Sequence, residues 1–359
     1  MELLSIIHDK YSVKSKQFRL ALTNTSCRRY STSSTVKEGY ISNNNKNECH
    51  INSTGLPTSD SLNPWFITGL TDAEGSFSCI IRRNTASRLK WRIEVVFQIG
   101  LHTKDLKLLE QIKAYFGDVG VIAKSEAKNM CAFRVTSLKQ IASAVLPHFA
   151  KYPLKTQKGA DFQLWLDIVN IMLNVKSLTE DNLQNIVNIR ASLNLGLSGV
   201  LKAAFPNYIP VTKPSLPEQK VPHPEWMAGF TTGEGCFFLK VNKGRNKSGI
   251  GVQLVFQLAQ HLRDALFLES FVAYFNCGRL VRVTEKHWGY FECTKFLDNY
   301  EIILEFFKKH PIRGVKGKDF ADWMQVAEMI KTGEHLTPEG SKKILEIKSG
   351  MNTGRPIDL

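Results

Sequence analysis

Residues Trp65 to Phe77 read WFITGLTDAEGSF, and residues Trp226 to Phe237 read WMAGFTTGEGCF. From Gly69 onward the two stretches align without gaps and share Gly69/Gly229, Thr71/Thr231, Glu74/Glu234, Gly75/Gly235 and Phe77/Phe237, each led by a tryptophan. Asn63-Pro64 is a helix start, with Asn able to cap and Pro suited to the first helical position. The helix so begun carries Ile67, Gly69, Leu70 and Ala73 and stops at Gly75. Gly69 and Ala73 are both small and four apart, as are Gly229 and Gly233, a spacing that lets two helix backbones approach closely. The pattern predicts that the two helices pack on each other and that each ends in a glutamate, Glu74 or Glu234.

That ending is electrostatically unfavourable. A helix C-terminus carries partial negative charge and prefers cations. Two carboxylates ~5.5 Å apart repel by ~3 kcal/mol at an effective dielectric near 20. A divalent cation between them reverses the sign of both penalties. One helix-end glutamate is usually a solvated side chain; a duplicated one reads as a metal site.

The duplication runs well beyond the helix. Phe97-Gln98 matches Phe256-Gln257, His102 matches His261, Asp105 matches Asp264, Lys158 matches Lys316, Trp165 matches Trp323 and Asn194 matches Asn352. The offset is 160 at Gly69/Gly229 and 158 at Asn194/Asn352, the mark of a tandem repeat. Asp72 is replaced by Thr232, which makes it a local helix-end hydrogen-bonding group rather than a catalytic one. His102 and His261 read as helix caps or phosphate contacts. After each motif the hydrophobic period becomes two. Ser76, Ser78, Ile80, Arg82 and Asn84 fall on one face of a strand. A second strand from Leu89 to Leu101 alternates apolar residues with Lys90, Arg92, Glu94 and Gln98. Amphipathic helices are predicted at Lys104 to Phe116, Leu138 to Phe149, Thr156 to Leu173 and Thr179 to Leu193, with short strands at Val119 to Lys124 and Met130 to Thr136.

These boundaries divide the chain into a leader (1–61), a first repeat (62–196), a proline-marked extended linker (197–222), a second repeat (223–354) and a frayed tail (355–359). The leader is rich in Ser, Asn and Thr and reads as disordered. SCRRYSTSS within it has the look of a mitochondrial presequence cleavage region, and the competing reading is residual frame from an upstream exon or intron. Both readings place the protein in mitochondria.

The 359 residues carry 47 Lys+Arg against 33 Asp+Glu, a net charge of +14, which points to a polyanionic partner with nucleic acid as first candidate. Seven cysteines, an odd number with no CxxC, argue against a disulfide framework and a zinc site. No apolar run is long enough to span a membrane.

ITGLTDAEG and MAGFTTGEG resemble the paired motifs of a LAGLIDADG homing endonuclease in its single-chain, two-repeat form. PWFITGLTDAEGSF, VVFQIGLHTKD, YPLKTQKGADF, AGFTTGEGCFF, LVFQLAQH and GVKGKDFADW are similar to the I-Onu type of fungal mitochondrial introns. The match runs from about Leu62 to Gly354. It implies an α+β fold of two αββαββα repeats about a pseudo-two-fold, with the motif helices at the interface and two antiparallel sheets forming a DNA-binding saddle. It implies Mg²⁺ held by Glu74 and Glu234 with the carbonyls of Ala73 and Gly233, Mn²⁺ able to substitute and Ca²⁺ binding without cleavage. It also implies that Gln98, Gln257, Lys158 and Lys316 line the cleavage pocket. Candidate DNA contacts are Ser76, Ser78, Ile80, Arg82, Asn84, Arg88, Lys90, Arg92, Glu94 and Gln98 in the first repeat. In the second they are Phe238, Lys240, Asn242, Gln253 and Gln257. Because the two faces differ, the expected target is long and non-palindromic, cut by a monomer on both strands of a double-stranded DNA to leave short 3′ overhangs. The alternative is an RNA-binding maturase acting on its own intron RNA.

Overall fold

The computed structural model describes residues 61–216, 219–244, 249–283, 285 and 287–355. Residues 1–60 of the leader, most of the tail, and Pro217 and Glu218 of the linker lie outside the described residues. From Leu62 onward the chain forms one compact unit. Helix α1 (Pro64–Glu74) starts as expected: the Asn63 side chain accepts from the Trp65 amide, with Pro64 at the first turn. Strands β1 (Gly75–Arg83) and β2 (Trp91–His102) follow, then α2 (Leu106–Tyr115), β3 (Val121–Ser125) and β4 (Met130–Val135). A helical stretch over residues 138–151 contains a π turn at Ile141–Val145 and leads to α3 (Lys158–Asn174) and α4 (Glu180–Ser192).

The second repeat repeats this order. It comprises α6 (Pro224–Glu234), β5 (Gly235–Lys243), β6 (Ile250–His261), α7 (Ala265–Phe275), β7 (Arg279–Val283), β8 (Trp288–Cys293), α8 (Val315–Lys331) and α9 (Pro338–Ser349), with the same π turn at Asn299–Ile303. Both sheets are four-stranded and antiparallel, in the orders β1-β2-β4-β3 and β5-β6-β8-β7.

Two expectations change. The linker is not wholly extended, because Gly199–Ala204 forms a short helix, α5, capped by the Ser198 side chain. The tail is not frayed at its first residue: Arg355 reaches Asp319 at 2.7 Å, and its carbonyl accepts from Lys104 Nζ at 2.6 Å.

The repeats meet through α1 and α6. A methyl group on Gly69 would run into the Trp226 carbonyl, and one on Gly229 into that of Phe66. The small-residue spacing therefore does what it predicted. It also shows that Trp226 is the counterpart of Phe66, not of Trp65: Phe66 and Trp226 are fully buried, whereas Trp65 is half-buried, stacked on His223 and edge-on to Tyr152. Each repeat has its own aromatic core behind its sheet. Phe77 stacks on Phe97 at 5.2 Å and meets Trp165, while Phe237 stacks on Phe256 at 4.8 Å and meets Trp323. Aromatic pairs at such separations add to the area they bury.

The first repeat alone carries a buried polar chain. Thr68 donates to the Tyr152 carbonyl at 3.0 Å, so its oxygen is free to accept from His148 Nε2 at 3.0 Å. Nδ1 of His148 then accepts from the Tyr115 hydroxyl at 2.9 Å. Burial depresses the imidazole to about 3, so the folded protein holds it neutral. The unfolded chain binds the proton near pH 6.5, so this histidine's contribution is complete above that value and is lost as pH falls towards 3. Phe306 takes its place in the second repeat, and Thr68 becomes Ala228. His148→Phe should therefore gain on the wild type by about 2 kcal/mol between pH 7.5 and pH 5. Denaturant unfolding at the two pH values measures this difference.

Candidate active site

Helices α1 and α6 end side by side, each in a glutamate followed by a glycine whose amide closes the last turn on Thr71 or Thr231. The strand begins at that glycine, so each carboxylate stands where helix becomes sheet. The two helix tips touch: a methyl group on Gly233 would strike the Ala73 Cβ and crowd the Glu74 side chain, 2.9 Å from its Cγ. Burial and the neighbouring Glu74 carboxylate push Glu234 up to about 7. Burial is the larger cause and the repulsion expected of a paired site adds to it, with the opposing pull of Lys158 and Lys316 not sufficient to cancel them.

The lysines come from the starts of α3 and α8. Lys158 Nζ donates to the carbonyls of Thr71 and Ala73, both at 3.0 Å, and Lys316 Nζ donates to the carbonyl of Gly233. Each ammonium thus caps the C-terminal end of a motif helix, where the helix dipole favours a cation. Burial pulls both lysines below the usual amine range. The carboxylates work against that pull: Asp72, Glu74 and Glu234 on Lys158, and chiefly Glu74 on Lys316. A cleft of about 310 Å³ opens beside Glu74, with Gly233, Lys316, His102, Asp105 and Arg313 among its walls.

The donor set suits a hard cation: two carboxylates and two main-chain carbonyls, all oxygen. No cluster of three or more His, Cys, Asp or Glu side chains able to hold a metal occurs among the described residues. A cation here would complete its shell with water and substrate oxygens, the habit of Mg²⁺. The carbonyls of Ala73 and Gly233 already accept from lysine and would serve through their second lone pairs.

Comparison with known proteins decides the family. The LAGLIDADG endonuclease family model matches residues 67–169 and again 227–327. This chain belongs to the LAGLIDADG endonuclease family. It is 38% identical over 300 residues to probable intron-encoded endonuclease 2 of Neurospora crassa, covering 81% of this chain and 65% of that protein. Probable intron-encoded endonuclease 3 of the same fungus is 37% identical, with 79% and 53% covered. The chain therefore spans between about half and two thirds of these relatives' length. Among solved structures, I-SmaMI bound to cleaved DNA superposes with a TM-score of 0.80 at 38% identity, covering 82% of this chain and 98% of that one. I-GzeII in complex with its DNA target gives 0.77 at 42% identity, covering 82% and 100%.

On this LAGLIDADG frame the sheet faces follow the expected register. Ser76, Ser78, Ile80 and Arg82 lie opposite Gln98, Val96, Glu94 and Arg92, and Cys236, Phe238, Lys240 and Asn242 lie opposite Gln257, Val255, Gln253 and Gly251. Three assigned contacts leave that face. Lys90 sits in the β1–β2 turn with φ of 59°, its ammonium on the Thr85 carbonyl at 2.8 Å. Arg88 is engaged by the Leu178 carbonyl at 2.7 Å, and the Asn84 side chain accepts from the Ala86 amide. Glu94 stays on the sheet but faces Arg134 at 3.5 Å. Strands β4, β7 and β8 place further residues on this face, including Arg134 on β4, Arg279 on β7, and Tyr290 and the half-exposed Trp288 on β8.

The glutamines also divide. Gln257 donates to Glu292 at 2.9 Å, which Arg279 grips at 2.7 Å, so it belongs to a sheet-face network. Gln260 is the glutamine that reaches a helix-tip carboxylate, donating to Glu234 at 3.4 Å. Its register partner in the first repeat is Leu101, so a search for duplicated residues passes over it. His102 and His261 cap as expected, their Nδ1 atoms accepting from the Lys104 and Arg263 amides. Asp72 is a hydrogen-bonding residue but not a local one. Buried, it accepts from the Lys155 and Thr156 amides, the Thr156 hydroxyl and the Trp226 indole, tying α1 to the start of α3 and to α6.

The raised Glu234 carries a stability cost. Unfolded, the carboxyl ionises near 4.5; folded, it holds its proton to about 7, so stability falls as pH rises between those values. With partial screening the loss is about 1–2 kcal/mol. Glu234→Gln should raise the melting temperature at pH 8 by about 2–6 °C, with the gain shrinking towards pH 4.5. Calorimetry across that range reads it directly.

Proposed function

We propose that the protein is a site-specific DNA endonuclease that cuts both strands of a long, non-palindromic duplex and leaves short 3′ overhangs. The observation carrying this reading is the pair of abutting helix tips, each presenting a glutamate with a buried lysine beside it. Two such halves suit two strands, one for each scissile phosphate. I-SmaMI has been solved bound to cleaved DNA, and also bound to uncleaved target in the presence of calcium ions. Applied to this chain, those neighbours favour a divalent cation, with Ca²⁺ as a binding but inactive ion; the all-oxygen donor set supports Mg²⁺ as the working cofactor, with Mn²⁺ as a substitute.

Glu74 and Glu234 would hold the metal, helped by the Ala73 and Gly233 carbonyls. A cation held there would supply Lewis-acid polarisation of the phosphate, a lowered pKa for the attacking water and charge stabilisation at the leaving 3′ oxygen. The chain's own groups do the rest. Lys158 and Lys316 supply positive charge beside the scissile phosphates and fix the helix-end carbonyls that share the site. Gln260 orients the Glu234 carboxylate. Arg82, Arg92, Lys240, Gln253 and Asn242 present donors to base edges in the major groove, and the net charge of +14 holds the phosphate backbone.

The enzyme acts as a monomer, both halves lying on one chain. Relatives that are intron-encoded and fungal support a role in intron mobility within mitochondria. The maturase reading has no such support, since these relatives carry endonuclease names.

The test is a supercoiled plasmid carrying the joined exons that flank the encoding intron. Linear product is expected with Mg²⁺ and none with Ca²⁺. Glu74→Gln should abolish linearisation while keeping affinity in Ca²⁺ within about threefold, as expected of a residue removed from the reaction rather than from binding. An intact plasmid after incubation of the wild type with Mg²⁺ or Mn²⁺ would refute the proposal.

A further inference from the structure

The two active-site lysines share an unusual support. Lys158 opens α3 and Lys316 is the second residue of α8, yet neither helix is capped by its own N-cap side chain, which is Gln157 in one case and Gly314 in the other. The free amides at these helix starts are taken instead by an aspartate of the opposite repeat. Asp105, which follows β2 of the first repeat, accepts from the Val315 amide at 2.7 Å. Asp264, which follows β6 of the second, accepts from the Gln157 amide at 2.8 Å. In each case the accepted amide belongs to the residue immediately before the lysine.

The approach is close on both sides. Gly314 has φ of 68°, in the left-handed region, and a methyl group there would collide with Asp105 Oδ1. Asp105 lines the cleft together with Glu74 and Lys316, and its charge acts on the Lys316 ammonium. Asp264 also takes Gln219 of the linker at 3.5 Å and faces Arg263 at 3.6 Å. A carboxylate at a helix N-terminus satisfies a free donor and favours the positive end of the dipole. Losing it lets the first turn fray, and the first turn is what aims the lysine.

We infer that Asp105 and Asp264 are positioning residues for cleavage, each fixing the lysine carried by the other repeat. The inference rests on the endonuclease reading above. It gives the chain a physical reason to keep two halves fused: each lysine already reaches carbonyls of its own repeat, and the aspartate that takes the amide before it comes from the other. It also predicts a crossed pattern that general destabilisation does not produce.

The experiment uses the full chain and the same exon-junction plasmid, with each strand end-labelled so that the two cuts are timed separately. Asp105→Asn and Asp105→Ala should slow the strand that Lys316→Met slows. Asp264→Asn and Asp264→Ala should slow the strand that Lys158→Met slows. A loss of about tenfold or more on one strand, with nicked circle accumulating, is the size expected for removing a residue that orients an active-site group. Asparagine keeps an oxygen acceptor and should lose less than alanine. The Asp105→Asn, Lys316→Met double variant should be no slower on its strand than Lys316→Met alone, whereas Asp105→Asn with Lys158→Met should be impaired on both strands. Melting temperature and affinity in Ca²⁺ are read for every variant, and if alanine prevents folding the asparagine series and the double variants carry the test. Equal slowing of both strands, or the same strand slowed by Asp105 and Asp264 variants, would overturn the inference. Failure of the wild type to cut would instead overturn the reading beneath it.

Discussion

The backbone contact between α1 and α6 governs the rest of the molecule. At Gly69 and Gly229 each helix rests on a carbonyl of the other, and no side chain fits between them. Dispersion over such a contact is favourable only at short range, so the crossing point is narrowly set. Five residues further on, both helices end, and the crossing geometry brings their last residues together. The juxtaposition of Glu74 and Glu234 is thus a consequence of packing, maintained against the carboxylates' mutual repulsion. The stabilising part of the interface lies in the apolar turns before the tip, where Phe66, Ile67, Leu70, Trp226 and Phe230 are fully buried.

The two repeats are related but not equal, and some of the differences fall where the halves touch. Asp72 accepts four hydrogen bonds, one from Trp226 of the other repeat. Its counterpart Thr232 donates back to Ala228 and accepts only from the Arg313 amide, at 3.3 Å. Gly233 leaves room for Ala73, and two alanines at that place would collide. A symmetric dimer would have to satisfy one sequence on both sides of each contact. A fused chain can make one side larger and the other smaller, and this one does so at Ala73 and Gly233.

What the sequence made legible follows from the same physics. Helix start, small-residue spacing, period-two strands and the tandem offset are local or repeated signals, and the fold they imply is the fold observed. Glu74, Glu234, Lys158 and Lys316 were legible because each occurs twice at a fixed offset. Gln260 was not, because Leu101 stands in its place. The reach of Asp72 to Trp226 was hidden for a different reason. A buried carboxylate finds its donors through tertiary structure, and 154 residues separate this pair. Lys90 was misplaced because alternation continued through the turn, while its backbone adopts a left-handed φ that no periodicity reveals.

The same asymmetry shapes the response to pH. His148 stabilises the first repeat only while neutral, and its contribution declines as pH falls below about 6.5. Glu234 destabilises the tip once ionised, and its cost grows as pH rises towards about 7. The two act in opposite directions over overlapping ranges, so between about pH 4.5 and 6.5 the fold's stability varies less than the larger of the two alone would make it. They differ in what can relieve them. Nothing outside the protein reaches His148, which is buried between Thr68 and Tyr115. The Glu234 carboxylate follows Gly233, which walls the cleft together with Glu74. The destabilised group is thus the one placed where a ligand could stabilise it: on the proposed function, a cation bound there would offset its charge, and part of the free-energy cost carried by the free protein would return as binding free energy.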